Sequence, residues 1–338
     1  MEYRNLGTCG LKVSELCLGT MTFGRRTDEA EAQRSVDLAF DAGINFFDCA
    51  DAYGGGRSEE ILGRALKGRR RGAIVATKFF NPMGPGPNDS GMSRVHVMQA
   101  IEDSLRRLQM DYVDIYYIHH VDPFTPLEEM LRAVDDLVRQ GKVRYIACSN
   151  YEAWRLGDAW WTAKTHGLSN FVCYQPQYSL LVRDIEQELV PLCLSKGMGI
   201  VPWAPLGSGF LTGKFKPGER KIPGSRAADQ WAWHGRFFNE RADLILETLL
   251  DVSRELGKTP AQVALRWALE QPGLSSVIAG VRTVDHLRDN IGATGWRLEG
   301  EPLQRLNEVS YLPPRYPDSF ESTSGLKRVN AVDMPSLT

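Results

Sequence analysis

The sequence predicts an α/β fold, a (β/α)8 TIM barrel with an N-terminal β-hairpin and a long loop after its seventh strand. Three observations lead there. Short apolar runs alternate with helical stretches, about eight of each over some 300 residues, the pattern of parallel βα units. Nearly every apolar run ends in polar or glycine residues, as barrel strands do where they open onto the C-terminal face. No Pro/Ser-rich linker divides the chain. A doubly wound sheet is the competitor, but it has fewer strands and a glycine-rich first turn.

The hairpin is expected first, Tyr3 to Leu6 and Leu11 to Ser14, around the turn Gly7-Thr8-Cys9-Gly10. Eight strands follow: Leu16–Gly19, Ile44–Asp48, Ala73–Lys78, Val113–His119, Val143–Ser149, Phe171–Gln175, Gly199–Trp203 and Ser276–Gly280. Helical patterns between them include Glu29 to Ala42, Arg94 to Leu108, Leu127 to Gln140 and Pro260 to Glu270. The last begins with proline at its first position and Thr259 as cap. The interval from Trp203 to Gly280 is far longer than the others. It must hold an insertion, Pro205 to about Asn239, expected to cover the C-terminal face as a lid. The barrel is expected to span residues 1–312, and 313–338 to form a tail or a substrate-side loop.

The bulk numbers exclude several classes. Hydrophobic content of 43% with 24% charged residues is that of a soluble globular protein, and a net charge of −2 offers nothing general to nucleic acid or anionic membranes. The run Lys67 to Arg71 reads as a solvated helix end. Six cysteines without CxxC spacing, most of them inside apolar runs, read as reduced core residues, not as disulfides or a zinc site. The start lacks a signal pattern and no stretch is long and apolar enough for a membrane span. A cytoplasmic location is expected, and homo-oligomerisation is compatible with the sequence.

Four residues just beyond apolar runs carry the chemistry: Asp48, Tyr53, Lys78 and His119. A free phenol titrates near about 10 and is a poor acid at neutral pH. Lys78 is expected to lower that value by favouring the tyrosinate, with Asp48 holding the ammonium in place. His119, from another strand end, can hydrogen-bond a substrate oxygen. Together they can polarise a carbonyl as charge develops on its oxygen. Each residue taken singly has an ordinary structural explanation; four at successive strand ends do not share one.

These segments resemble the aldo-keto reductase superfamily. Asp41 to Gly54 is similar to the signature AGxxxxDTAxxY, with Cys49 in place of threonine. Val75-Ala-Thr-Lys78 resembles the xxTK strand, and Asp114 to Asp122 resembles DLYxxHxxD. The resemblance runs from the hairpin to about residue 310. It implies a catalytic tetrad of Asp48, Tyr53, Lys78 and His119, with His120 where many relatives carry arginine or tryptophan.

The resemblance also implies the cofactor. No GxGxxG sits between an early strand and helix, so a Rossmann site is unsupported. The family instead lays an extended NADP(H) across the barrel mouth. Implied contacts near the nicotinamide are Gly19, Thr20, Met21, Asp48, Ser149, Asn150, Gln175 and Trp203, the last stacking on the ring. The segment Ala204, Pro205, Leu206, Gly207, Ser208 and Gly209 leads to Lys214 and on to Arg226. It is most similar to the branch containing potassium-channel β subunits, where this lysine and arginine grip the pyrophosphate. Gly280, Val281, Arg282, His286, Asp289 and Asn290 resemble the adenosine-phosphate segment. Arg282 would meet the 2′-phosphate beside a helix N-terminus. His286 and Asp289 depart from the family's usual residues there.

For the substrate, Phe23, Phe79, His120 and Trp231 are expected to line an apolar pocket that favours a bulky ketone or an aromatic aldehyde. The neighbouring Trp233, Phe237 and Phe238 could equally pack the lid onto the barrel. The function expected is NADPH-dependent reduction of a small-molecule carbonyl. The alternative is an NADP(H)-binding regulatory subunit of another protein, which the intact His119 disfavours. A metal-dependent hydrolase using His119, His120, Asp48 and Asp122 is set aside because adjacent histidines on a strand point to opposite faces.

Overall fold

Eight parallel strands form the barrel, and their register brings the polar strand ends together. The computed structural model describes residues 1–219 and 239–320. A hairpin, β1 (Tyr3–Asn5) and β2 (Lys12–Ser14), precedes the barrel strands. These are β3 (Leu16–Gly19), β4 (Phe46–Asp48), β5 (Ile74–Phe79), β6 (Val113–Ile118), β7 (Val143–Ser149), β8 (Phe171–Gln175), β9 (Gly199–Ile200) and β10 (Val277–Gly280). The sheet order is β10-β3-β4-β5-β6-β7-β8-β9, every pairing parallel. Its two ends meet through an Ile200–Leu274 bridge and a bond from the Ile278 amide to the Pro202 carbonyl (3.1 Å).

Strand alternation divides the apolar residues into two cores. Cys17, Phe46, Ala76, Ile115, Tyr117, Ala147, Cys173, Val201 and Ile278 fill the barrel interior, joined by Leu6 and Val13 of the hairpin. The opposite strand faces, including Leu16, Leu18, Phe47 and Val75, pack against the surrounding helices. The hairpin sits at the barrel's closed end, where the Thr8 amide bonds the Gly197 carbonyl (2.8 Å). Gly7 is required there: at φ +60° a Cβ would lie 2.3 Å from that carbonyl oxygen.

The predicted helices form close to their expected bounds. Among them are α1 (Glu29–Asp41), α2 (Arg57–Ala65), α3 (Arg94–Leu108) and α4 (Leu127–Arg139). They continue with α5 (Ala153–Thr165), α6 (Leu189–Lys196), α7 (Glu240–Leu256), α8 (Pro260–Leu269), α9 (Val284–Ile291) and α10 (Gly300–Val309). Thr259 caps α8 in a full capping box with Gln262. The largest boundary difference is β9, which keeps two residues because Pro202 cannot donate to a ladder; beyond it Trp203 only bridges Gln177. Among the described residues no helix is long and apolar enough to cross a membrane. Much of the expected lid, with Arg226, Trp231, Trp233, Phe237 and Phe238, lies outside the described residues.

Candidate active site

The pleat that buries the interior core also builds the site. Two residues past Phe46 comes Asp48, past Ala76 comes Lys78, past Tyr117 comes His119. Ala147 leads likewise to Ser149, Cys173 to Gln175, Val201 to Trp203 and Cys17 to Gly19. Period-two alternation thus turns one more layer of side chains inward, and that layer is polar. Tyr53 comes from the turn after β4, where its amide bonds the Ala50 carbonyl (3.2 Å). Gly54, Gly55 and Gly56 follow at φ +63°, +64° and +92°, a left-handed run that turns the chain straight into α2.

Lys78 is fully buried, and its Nζ donates to Asp48 Oδ1 (2.5 Å), the Cys49 carbonyl (2.6 Å) and Tyr53 Oη (3.4 Å). The other Asp48 oxygen accepts from Gln175 Nε2 (2.8 Å). Burial works against the Lys78 ammonium, but Asp48 and Tyr53 raise its pKa above the ordinary value. The expected lowering of the Tyr53 phenol does not occur. Burial pushes it up to about 12, outweighing the opposite pull of Lys78, so the tyrosine keeps its proton across the working range. His119 is driven down to about 2 by burial, then by Lys78 and His120, and is therefore a neutral imidazole.

Asp48, Tyr53 and His119 line one end of a cavity of about 620 Å³, with Lys78 fully buried behind them. Its wall takes in most of the expected cofactor residues: Gly19, Thr20, Met21, Asp48, Ser149, Asn150, Gln175, Trp203, Ala204, Pro205, Leu206, Ser208, Gly209, Lys214, Gly280, Arg282, His286, Asp289 and Asn290. Gly207 and Val281 lie behind it, both buried, the Val281 carbonyl accepting from Thr22 Oγ1 (2.5 Å). Trp203 Nε1 donates to Asn150 Oδ1 (3.2 Å), Asn150 Nδ2 to the His119 carbonyl (2.9 Å) and Ser149 Oγ to the Gln175 carbonyl (2.7 Å). Asn150, Ala204 and Ser208 hold φ of +60°, +53° and +57°, so strained backbone gathers at the wall.

The far end is cationic. His286 has its pKa lowered by burial and then by Lys214 and Arg282, which marks those three as neighbours. Ser208 Oγ is buried without a hydrogen-bond partner. These donors fit an anionic group such as a nucleotide phosphate. The helix N-terminus expected to assist Arg282 is largely taken: the Val284 amide bonds Glu31 Oε1 (2.5 Å) and the His286 amide bonds Thr283 Oγ1 (3.4 Å). Asp289 accepts from Thr259 Oγ1 (2.9 Å) and Gln262 Nε2 (2.9 Å), tying α9 to α8.

Phe23 and Phe79 do not reach the cavity; both are fully buried in the outer core, Phe79 stacked on Tyr116 (4.8 Å). Phe79 follows Lys78 and so turns to the opposite face. His119 and His120 both line the cavity with their rings stacked (4.6 Å, 13°), because β6 ends at Ile118 and alternation stops there. The pleat argument against a histidine pair therefore fails. Even so, among the described residues no three His, Cys, Asp or Glu side chains form a metal cluster. Sequence reasoning passed over Gln177, which lines the cavity and continues the alternation from Gln175.

Residues 15–310 match the sequence profile described as the Aldo/keto reductase family. The chain is 42% identical over 326 residues to the uncharacterized oxidoreductase YrpG of Bacillus subtilis (strain 168), covering 91% of this chain and 96% of that protein. It is 37% identical over 330 residues to a "Probable voltage-gated potassium channel subunit beta" of Arabidopsis thaliana. It is 37% identical over 333 residues to a protein of the same description from Oryza sativa subsp. japonica. Both alignments cover 95% of this chain and 100% of the relative.

Proposed function

This chain belongs to the aldo/keto reductase family, an oxidoreductase family that uses nicotinamide cofactors, and on that premise we propose that it reduces aldehyde or ketone carbonyls with NADPH, Tyr53 serving as the proton donor. The observation that carries this reading is the bonded series Asp48–Lys78–Tyr53 beside His119, of which Asp48, Tyr53 and His119 line the same cavity as Lys214, Arg282 and His286. NADPH, when bound, supplies hydride to the carbonyl carbon. The chain's own residues supply the rest.

His119, being neutral, hydrogen-bonds the substrate oxygen without adding charge. Tyr53 holds its proton until that oxygen becomes alkoxide-like, a stronger base than phenolate, so the transfer runs downhill. Lys78 then stabilises the tyrosinate, and Asp48 with the Cys49 carbonyl keeps the ammonium aimed at it. Trp203, braced by Asn150, would hold the nicotinamide ring. Lys214, with Arg226, suits the pyrophosphate, and Arg282 suits a 2′-phosphate. His120 lines the cavity beside His119, where Phe23 and Phe79 do not reach.

Two relatives are named as channel subunits; the complete tetrad favours turnover here, and a protein partner would be an addition to it. A panel of aldehydes and ketones followed by NADPH absorbance tests the reading. Oxidation that depends on the carbonyl and is faster with NADPH than NADH is expected. No carbonyl-dependent oxidation of either nucleotide would overturn it.

A further inference from the structure

His119 is gripped through a residue that the tetrad does not include. Asn81 Nδ2 lies 3.1 Å from His119 Nδ1. Strand β5 delivers Asn81 through an unusual bend: Phe80 sits at φ +149°, and its carbonyl is pinned by the Gly91 amide (2.8 Å). The Phe80 ring then packs edge-on against His120 (5.3 Å, 64°), which stacks on His119. The His119 amide in turn bonds the Phe79 carbonyl (3.1 Å). Residues 79–81 and 119–120 thus interlock, and a strained non-glycine residue is spent on placing one amide.

The chemistry of that amide matters. An amide NH2 has only protons to offer, so the ring nitrogen facing it must accept. A neutral imidazole that accepts at Nδ1 carries its proton at Nε2. Among the described residues His119 Nε2 makes no hydrogen bond, while the residue lines the cavity. We propose that Asn81 is a positioning residue that locks His119 in the Nε2–H tautomer, so that His119 presents a hydrogen-bond donor to the substrate oxygen. The inference rests on the carbonyl-reduction reading for its purpose, though not for its test. With the opposite tautomer the ring would present a lone pair to an oxygen gaining negative charge, and would repel it.

The test is tautomeric and needs no turnover. Ring ¹⁵N chemical shifts of the full-length protein at pH 8, with His119 assigned by its loss in His119→Gln, report which nitrogen is protonated. The wild type is expected to show Nε2–H with a bare Nδ1. Asn81→Asp replaces the donor with an acceptor and is expected to move the proton to Nδ1. It should also lower kcat at least tenfold while leaving nucleotide affinity unchanged; Asn81→Ala should fall between. A wild-type spectrum with Nδ1–H overturns the proposal, as does an Asn81→Asp spectrum identical to wild type. If Asn81→Asp does not fold, the wild-type spectrum decides. The predicted tautomer in a protein that reduces no carbonyl would sink the function and spare the positioning role.

Discussion

The two ends of this barrel both bury charge, and they use it in opposite ways. At the closed end Glu15 and Arg266 are fully buried 3.1 Å apart, with Arg4 and Glu270 adding pairs at 3.4 and 2.9 Å. Every charge there faces an opposite one, and the hairpin covers the group. At the open end Lys78 has one carboxylate, Asp48, and its remaining bonding capacity reaches the buried Cys49 carbonyl and a phenol that lines the cavity. The closed end holds the fold together. The open end holds a proton in readiness, and its strained backbone is carried by the rigidity below.

The contrast can be broken most sharply at Tyr53. Tyr53→Phe keeps the ring and removes the proton, so turnover should fall by roughly 10²–10⁴-fold while nucleotide binding and denaturation midpoint stay near wild type. Full activity would remove the proposed acid. At the other end Glu15→Ala removes the fully buried carboxylate that pairs with both Arg266 and Arg4, leaving the buried Arg266 with Glu270 alone. Urea denaturation should show a loss of about 3–5 kcal/mol, with kcat per folded molecule unchanged. A large kcat loss there would erase the division between the ends.

Arg282→Ala sharpens the account within the open end. Losing a charge-assisted bond of about 1.5–3 kcal/mol should weaken NADPH by about ten- to a hundredfold and NADH little, measured by fluorescence titration. Equal losses would argue against a 2′-phosphate contact. The smallest effect is a null in pH. With His119 down at about 2 and Tyr53 up at about 12, neither changes protonation between pH 5 and 9, so the reduction rate should show no break assignable to them. A break near 6.5 that vanishes in His119→Gln would mean the imidazole titrates normally.

What the sequence disclosed follows the same division. Strand ends were legible because one rule, alternation by two, governs both the apolar interior and the polar layer above it; Asp48, His119, Ser149 and Gln175 obey it at the cavity wall, and Lys78 obeys it just behind, bonded to Asp48. The rule misleads where a strand stops. It could not show that His120 turns inward beside His119, since β6 has already ended, nor that Trp203 stands beyond β9. Phe79 was misread against the rule itself, being one step from Lys78 and so facing outward. The Tyr53 phenol was misjudged because a sequence names its cationic neighbour and not the depth of burial, which here outweighs it. Asn81 carries no signature at all: its partner is thirty-eight residues away, and only the bend at Phe80 joins them.

Tyr53 and Lys78 act as one proton-donating unit at the open end. The most direct measurement is kcat for Tyr53→Phe, Lys78→Met and the double variant, each with nucleotide binding verified. Residues that work only together lose nearly everything with the first substitution, so the double variant should be no slower than the worse single one, within about threefold. Losses that multiply would show two independent contributions and contradict the account.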